Sequence, residues 1–351
     1  MNGNTIKVEK TLKYLGIVMD HRLTWDAHIE QVTNCTGMIF QAFAQVARRD
    51  WGLSSAALST IYDSIFTLII KYGCNTWGWA AFKIHPKRKL VSAQRHALMP
   101  LMKAYQTTSN YSIQVIARKM PIDIDITRKR KMQLAKMGED IQIGSTIFKT
   151  EDLEKDHPYC NTIYSYANTS CNPDHQRAAR IIIYTDGSGI EGGIGCAFVA
   201  YDDNQEIHHQ KHRLHNNCNV FLAELLEICR ALDWTDNTYN NLEIGIFTDS
   251  LSALNLIYSD KLHPLAVNIR NKIDTSPNRT QISWVHSHQG TKGNERADAL
   301  AKEAALDNTI TIEYNSINKG TLKRLLWEEA INNWQLRWNE YNNHITYRFI
   351  P

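Results

Sequence analysis

From residue 181 to residue 306, short apolar runs alternate with helical patterns, and this order limits the chain to a small set of folds. Three strand-like runs come first, at 181–184, 194–201 and 206–214. They are followed by a helix at 220–234, a strand at 242–247, a helix at 250–258, a strand at 281–285 and a helix at 294–306. The order β-β-β-α-β-α-β-α predicts a mixed α/β sheet with helices packed on it.

The preceding part of the chain has a different pattern. Residues 24–136 carry apolar residues at intervals of three and four, which is typical of helices, and Pro86 and Pro121 divide this stretch. Residues 150–178 are polar and rich in Asn, Asp, Ser and Thr, which indicates a linker. We therefore expect a mainly α-helical domain at 1–150, a linker at 151–177, the α/β domain at 178–307 and a helical C-terminal tail at 308–351.

Charge is divided unevenly along the chain. Residues 1–150 hold 21 Lys and Arg against 10 Asp and Glu, whereas residues 151–351 hold 18 against 26. A basic half next to an acidic half predicts a region that binds polyanions beside a domain that needs its carboxylates. The alternative is chance variation in solvated surface, and charge alone does not decide between the two.

Composition excludes several classes of protein. With 43% hydrophobic and 21% charged residues in 351 positions, the chain is typical of globular proteins. No stretch resembles a membrane span or a signal peptide, so we expect no membrane partner and no secretion. The seven cysteines are scattered without a C-x-x-C pair, which favours reduced thiols in an intracellular protein of the cytoplasm or nucleus.

Four acidic residues stand where folding alone does not explain them. Asp186 and Asp249 each follow an apolar strand, Glu224 lies among the apolar residues of its helix, and Asp298 lies in the first turns of the last helix. Any one of them could be a turn former or a helix-end charge. Close together, however, like charges destabilise a fold unless a cation neutralises them, and oxygen-only ligands favour Mg²⁺ or Mn²⁺.

Five short segments carry a family resemblance: YTDGS at 184–188, AELL at 223–226, FTDS at 247–250, WVHSH at 284–288 and GNERAD at 293–298. In this order they resemble type 1 ribonuclease H, in the form found in polyproteins of non-LTR (LINE-type) retrotransposons. The resemblance implies a ribonuclease H-like fold with a five-stranded mixed sheet. It also implies a two-metal, in-line hydrolysis of the RNA strand of RNA–DNA hybrids. The residues it assigns are Asp186, Glu224, Asp249 and Asp298 as ligands of two Mg²⁺ ions, with Mn²⁺ as a substitute, and His288 as an aid to proton transfer and product release.

The chain departs from the family pattern around the ribose site. Bacterial-type enzymes have an asparagine-rich approach to the helix glutamate, but here the sequence VFLA occupies 220–223, and Leu251 stands where a polar residue is usual. We therefore expect Gly187 and Ser188 to contact the substrate instead. An RNA–DNA hybrid remains the expected substrate, because the 2′-OH distinguishes the two strands.

Residues 12–109 are similar to the region after the polymerase palm of LINE-type reverse transcriptases, in segments such as LKYLGI at 12–17 and AYQTTS at 104–109. This resemblance implies a thumb or connection region whose basic helices bind the nucleic-acid backbone. The candidate contacts are Lys87, Arg88, Lys89, Arg128, Lys129 and Arg130. An ordinary helical bundle with a basic surface is the alternative. No Tyr/Phe-x-Asp-Asp motif of a polymerase occurs, so we expect a downstream part of a retroelement polyprotein that does not polymerise.

Three further hypotheses remain open. His157, Cys160, Cys171 and His175 form H-x2-C-x10-C-x3-H, which resembles a zinc knuckle but matches no common spacing. The whole chain could also be a non-catalytic nucleic-acid-binding remnant of a retrotransposon reverse transcriptase. A related exonuclease or integrase is the third alternative, and the GNERAD segment argues against it.

Overall fold

A computed structural model describes residues 9–46, 52–155, 179–287, 289–342 and 345–350. The chain divides into two compact units. The first joins residues 1–150 to residues 322–351, and the second comprises residues 151–321. Region 308–351, which the sequence predicts to be a single tail, is therefore divided between the units at residue 322.

The first unit is mainly α-helical, as the sequence predicts. Its strands form two hairpins, β1 (Thr11–Tyr14) with β2 (Ile17–Asp20) and β3 (Ile141–Ile143) with β4 (Thr146–Phe148). Its helices are α1 (Asp26–Val46), α2 (Ser55–Ile61), α3 (Thr67–Ile70), α4 (Cys74–Trp77), α5 (Ile84–Met102), α6 (Asn110–Ile116) and α7 (Ile122–Lys136). A π-helical turn, Tyr62–Phe66, and a 3-10 turn, Gly78–Phe82, interrupt the series. The core contains the fully buried side chains of Phe66, Trp77 and Leu98.

Charged pairs attach the last long helix, counted as α12 (Lys319–Asn339), to α7. Arg337 donates hydrogen bonds of 2.9 and 2.8 Å to the two carboxylate oxygens of Asp123, which is buried. Lys131 contacts both oxygens of Glu329, at 2.7 and 2.8 Å. Bidentate, partly buried pairs of this kind fix geometry more strongly than isolated surface pairs do. Basic residues of α7 are therefore used in part to hold the chain's own C-terminal helix.

The second unit is built on a six-stranded mixed sheet. In chain order its elements are β5 (Ile181–Ile190), β6 (Gly193–Asp202), β7 (Gln205–Leu214), α8 (Val220–Thr238), β8 (Glu243–Thr248), α9 (Leu251–Ile257), α10 (Pro264–Thr275), β9 (Arg279–Trp284), α11 (Lys292–Leu306) and β10 (Ile312–Tyr314). The strand order across the sheet is β10-β7-β6-β5-β8-β9. The predicted mixed sheet with flanking helices is confirmed, but the predicted five strands are one too few. Strand β10 and helix α10 are the elements that the sequence pattern did not indicate.

Strand pairing brings the ends of β5 and β8 together. Strands β5, β6 and β7 are antiparallel, whereas β8 pairs parallel to β5 and β9 pairs parallel to β8. In the β5–β8 ladder Thr185 lies opposite Thr248, so the next residues, Asp186 within β5 and Asp249 just after β8, are neighbours. The prediction that the first strand ends before Asp186 is wrong, because β5 continues to Ile190 in its pairing with β6. Helix α8 packs across β5 and β6, and its apolar residues form the main core together with Ile183 and Phe198.

Among the described residues, no helix combines the length and the apolar character that a membrane crossing requires.

Close backbone packing fixes the start of α11, the helix that carries Asp298. A Cβ atom at Gly293 would lie 2.2 Å from Cδ2 of Tyr184, whose ring stacks on Phe247. We expect Gly293→Ala to lower the free energy of unfolding by about 3 kcal/mol, because the confined ring has little room to move away. Urea titration of the purified protein measures the change.

The matched control is Gly37→Ala in α1, where nothing lies within 4 Å of a new Cβ atom. That substitution should stabilise its helix slightly, by about 0.5–1 kcal/mol, because alanine loses less backbone entropy than glycine does. Equal unfolding curves for the two variants would contradict the packing argument.

Candidate active site

Asp186 projects from the middle of the sheet. It follows five residues of β5 that alternate between the two faces, and its partner in the antiparallel ladder is Ala197 on β6. The side chain is only 6% exposed, which is unusual for an aspartate. Burial, and after it the charges of Asp249 and Asp298, raise the pKa of Asp186 to about 8. The unliganded site therefore disfavours the ionised form.

Glu224 enters the same region from α8. The helix begins at Val220, and the side chain of Asn219 caps it by accepting a hydrogen bond of 2.9 Å from the Leu222 amide. Glu224 is 6% exposed, and its Oε2 atom is buried without a hydrogen-bond partner. The Gly187 amide donates to the carboxylate. Burial and the carboxylates of Asp186 and Asp249 nevertheless raise the pKa of Glu224 well above its usual range.

Asp249 follows the last residue of β8 and is held by two neighbours. The indole Nε1 of Trp284 donates to its backbone carbonyl at 3.1 Å, and Nδ2 of Asn294 lies 3.4 Å from its Oδ2. Asn294 is buried, and its Oδ1 atom has no hydrogen-bond partner. Both neighbours lie within the family-like segments WVHSH and GNERAD, yet the sequence analysis gave neither of them a role.

The structure brings three of the four predicted ligands together. One carboxylate oxygen from each of Asp186, Glu224 and Asp249 lies within 4.8 Å of the other two. Three carboxylates at this separation repel one another, and buried ones cannot be screened by water, so the group must take up protons or bind a cation. Oxygen-only donors suit a hard divalent ion such as Mg²⁺.

Asp298 lies beside this group but is not one of the three. It occupies the second turn of α11, and Nζ of Lys302, one turn further on, contacts its Oδ2 at 2.6 Å. Its charge still raises the pKa of Asp186, which places it within electrostatic range of the site. The ion pair with Lys302 was not predicted.

Of the other residues predicted for the second unit, Gly187 and Ser188 lie in β5, and the remaining ones lie outside the described residues. Gly187 touches Glu224 through its amide, and a Cβ atom there would lie 2.8 Å from the Glu224 backbone nitrogen. Ser188 is buried in β5. His288 lies outside the described residues, as do His157, Cys160, Cys171 and His175 of the predicted zinc knuckle.

The predicted backbone-binding residues of the helical unit form two groups. On α5, Lys87 lies 3.1 Å from Asp123 and Lys89 lies 2.7 Å from Glu30, while Arg88 is exposed. All three head groups are on the surface.

On α7, the basic residues lie further inside. Arg128 pairs with Asp125 at 2.6 Å and lies over the ring of Trp327, and Lys129 reaches the carbonyl of Lys71. Nε of Arg130 is buried without a hydrogen-bond partner. Binding of nucleic acid by these residues stays a prediction, and the contacts within the unit account for part of their charge.

Comparison with known proteins gives the family of the second unit. Residues 178–306 match the family model described as RNase H. A ribonuclease H of Cupriavidus pinatubonensis is 30% identical over 134 residues, which cover 34% of this chain and 92% of that protein. This chain belongs to the ribonuclease H family. The predicted resemblance to that family is confirmed.

Other relatives of this chain come from retrotransposons. A Pol polyprotein of the type-1 element R1 4 of Nasonia vitripennis is 27% identical over 170 residues, covering 48% of this chain and 42% of that protein. A putative 115 kDa protein of the R1DM element of Drosophila melanogaster is 29% identical over 122 residues, covering 35% and 12%. The chain thus spans less than half the length of these relatives. The predicted similarity to non-LTR retrotransposon polyproteins is confirmed.

Among solved structures, a ribonuclease H1 in complex with an RNA/DNA hybrid aligns with a TM-score of 0.30 and 22% identity, covering 35% of this chain and 95% of that one.

Proposed function

We propose that this chain is a metal-dependent endoribonuclease that hydrolyses the RNA strand of RNA–DNA hybrids by a two-metal, in-line displacement. The observation that carries the proposal is the convergence of Asp186, Glu224 and Asp249 from two strands and a helix. A fold gains nothing from bringing three mutually repelling carboxylates together, two of them buried, whereas a nuclease needs such a group. Named ribonucleases H among the relatives support the same activity.

The residues present fit a divalent cation. The Oε2 atom of Glu224 is buried and lacks a partner, and burial together with the charges of Asp249 and Asp298 raises the pKa of Asp186. A bound cation would offset both effects. We propose Asp186, Glu224, Asp249 and Asp298 as the ligands. Bound Mg²⁺ would supply Lewis-acid stabilisation of charge on the attacking and leaving oxygens of the phosphodiester.

The protein's own contribution is to orient these carboxylates. Trp284 and Asn294 fix the backbone and the side chain of Asp249, and the Gly187 amide holds the carboxylate of Glu224. Such neighbours determine the direction in which a ligand oxygen points. His288, following the family resemblance, is proposed to carry a proton during the reaction, since an imidazole titrates near neutral pH.

The hybrid substrate is proposed from chemistry and from similarity. The 2′-OH distinguishes RNA from DNA in a duplex, and the similar solved ribonuclease H1 is described as bound to an RNA/DNA hybrid. Gly187 and Ser188 are the proposed contacts near the scissile strand. Lys87, Arg88 and Lys89 on α5 are proposed to bind the phosphate backbone without regard to sequence, together with Arg128, Lys129 and Arg130.

The direct test offers the purified chain three end-labelled substrates, an RNA–DNA hybrid, duplex DNA and duplex RNA, with Mg²⁺ or with EDTA. We expect internal cuts in the RNA strand of the hybrid alone, only with the metal, leaving 3′-hydroxyl and 5′-phosphate ends. Binding to the hybrid without cleavage in Mg²⁺ or Mn²⁺ would instead support a non-catalytic nucleic-acid-binding protein. Cuts confined to strand ends would indicate an exonuclease.

A further inference from the structure

The second unit contains another group of side chains that could bind a metal ion, separate from the cluster of Asp186, Glu224 and Asp249. Cys196 on β6 and His212 on β7 are directly opposite each other in the antiparallel ladder, so their side chains share one face of the sheet. Glu227 approaches them from α8, three residues after Glu224. Cys196 and Glu227 are completely buried, and the His212 side chain is 12% exposed.

The three donors converge on one point. The thiol sulfur, an imidazole nitrogen and a carboxylate oxygen all lie within 4.8 Å of one another. Nδ1 of His212 is 2.9 Å from Oε2 of Glu227, and the Cys196 thiol is hydrogen-bonded to the same carboxylate. A metal ion with bonds of about 2.0–2.3 Å to each donor needs separations of this order, so small side-chain rotations suffice.

The second ring nitrogen of His212 also has the kind of neighbour that is usual for a metal-bound histidine. Nε2 of His212, the nitrogen that is not paired with Glu227, lies 3.6 Å from Oε2 of Glu313 on β10. The other oxygen of Glu313 lies 2.8 Å from Nε of Arg230, which gives an ion pair. A ligating histidine commonly presents its second nitrogen to a carboxylate, which fixes the ring and makes the ligand more basic. Strand β10, the added sixth strand, supplies this carboxylate.

We propose that Cys196, His212 and Glu227 form a zinc site, with Glu313 and Arg230 orienting the histidine. A thiolate, a neutral imidazole and a carboxylate balance the charge of Zn²⁺, and the sulfur donor selects against Mg²⁺. Binding transfers the thiol proton and the proton shared by His212 and Glu227 to solvent. The ion would connect β6, β7 and α8 one helical turn from Glu224.

The competing explanation is a buried ion pair between protonated His212 and Glu227, with Cys196 as a passive neighbour. That arrangement satisfies the histidine and the carboxylate, and it uses the Cys196 thiol only as a hydrogen-bond donor to Glu227. The two explanations therefore differ in what they require of Cys196. A metal site needs its thiolate, and an ion pair does not.

The test reconstitutes the full-length chain with Co²⁺ as a spectroscopic substitute for Zn²⁺ and measures zinc content by elemental analysis. We expect a near-ultraviolet thiolate-to-cobalt charge-transfer band and about one tightly held equivalent of zinc. Cys196→Ala and Glu227→Gln should each remove the band and lower the zinc content at least about tenfold. The oxygen-only site cannot produce a thiolate band, so the result is independent of nuclease activity.

Two controls separate this site from other thiols. Cys229→Ala removes another buried cysteine of the same unit, outside the cluster, and should keep the band. The double variant Cys160→Ser/Cys171→Ser tests the zinc knuckle and should keep it as well. A folded wild-type chain without the band, or a band that survives Cys196→Ala, overturns the proposal. If the variants do not fold, the wild type still decides, because its thiolate-to-cobalt band must be present and must persist in excess Mg²⁺, which occupies oxygen-only sites.

Discussion

Replacing Asp249 by asparagine is expected to lower the rate of hybrid cleavage by about three orders of magnitude, equivalent to about 4 kcal/mol in the activation free energy. The substitution keeps the shape of the side chain and its contacts with Trp284 and Asn294. It removes one of the three charges that converge at the site. Single-turnover cleavage of a labelled hybrid in Mg²⁺ measures the rate. Binding in Ca²⁺ should change by no more than a few-fold, because the contacts with the phosphate backbone are intact.

The matched control is Asp260→Asn, which neutralises an exposed aspartate beyond the far end of α9. It changes the net charge of the protein by the same amount and should cleave at the wild-type rate. Cleavage by Asp249→Asn at a rate near that of Asp260→Asn would refute the assignment of the active site, whatever its effect on binding.

The cluster of Asp186, Glu224 and Asp249 could be predicted because the residues that flank each of them in the sequence mark its position. Asp186 and Asp249 each follow an apolar run of the kind found in buried strands. The parallel pairing of β5 with β8 places the residues after these runs side by side, although β5 itself continues beyond Asp186. Glu224 interrupts an apolar helical face, where burial without a partner would be costly. Sequence order and strand direction were therefore enough to bring these three residues together.

The contacts of Asp298 and of the basic helices could not be predicted in the same way. Lys302 is one turn from Asp298, but many Asp and Lys residues at this spacing point away from each other into water. Lys131 pairs with Glu329, which is 198 residues away in sequence. A run of basic residues has the same sequence pattern whether it binds nucleic acid or an acidic helix that is distant in sequence. The charge pattern therefore led only to the prediction of nucleic-acid binding.

The group of Cys196, His212 and Glu227 depends on strand register, which a single sequence does not reveal. Cys196 and His212 are neighbours only because β6 and β7 pair as they do, and a shift of β7 by one residue would place His212 on the face opposite to Cys196. Strand β10 was missed for a related reason. It is three residues long and exposed apart from Tyr314, so it leaves no alternating pattern.

Replacing Asp186 by asparagine is expected to stabilise the metal-free protein, and the gain should grow with pH. The pKa of Asp186 is raised to about 8 in the folded chain, whereas an unfolded aspartate titrates near 4. Below about pH 4 the residue is protonated in both states, so it does not lower the free energy of unfolding there. As the pH rises from about 4 to about 8, the buried carboxylate must ionise beside Asp249, and wild-type stability falls. Asparagine carries no such charge. We expect a difference close to zero at about pH 4 and about 2–4 kcal/mol at about pH 8.

Urea unfolding in EDTA at several pH values measures this difference, and Asp260→Asn is the matched control. Asp260 is exposed, so its neutralisation should change the free energy of unfolding by no more than about 0.5 kcal/mol at any of these pH values. Excess Mg²⁺ should reverse the order of Asp186→Asn and wild type, because the wild-type site then gains binding free energy that the variant lacks. A gain in stability that is constant across this pH range would mean that repulsion at the site is not its cause. The charge of Asp186 that destabilises the metal-free protein would thus also be the charge that binds the ion. At this residue, a gain in stability would come with a loss of nuclease activity.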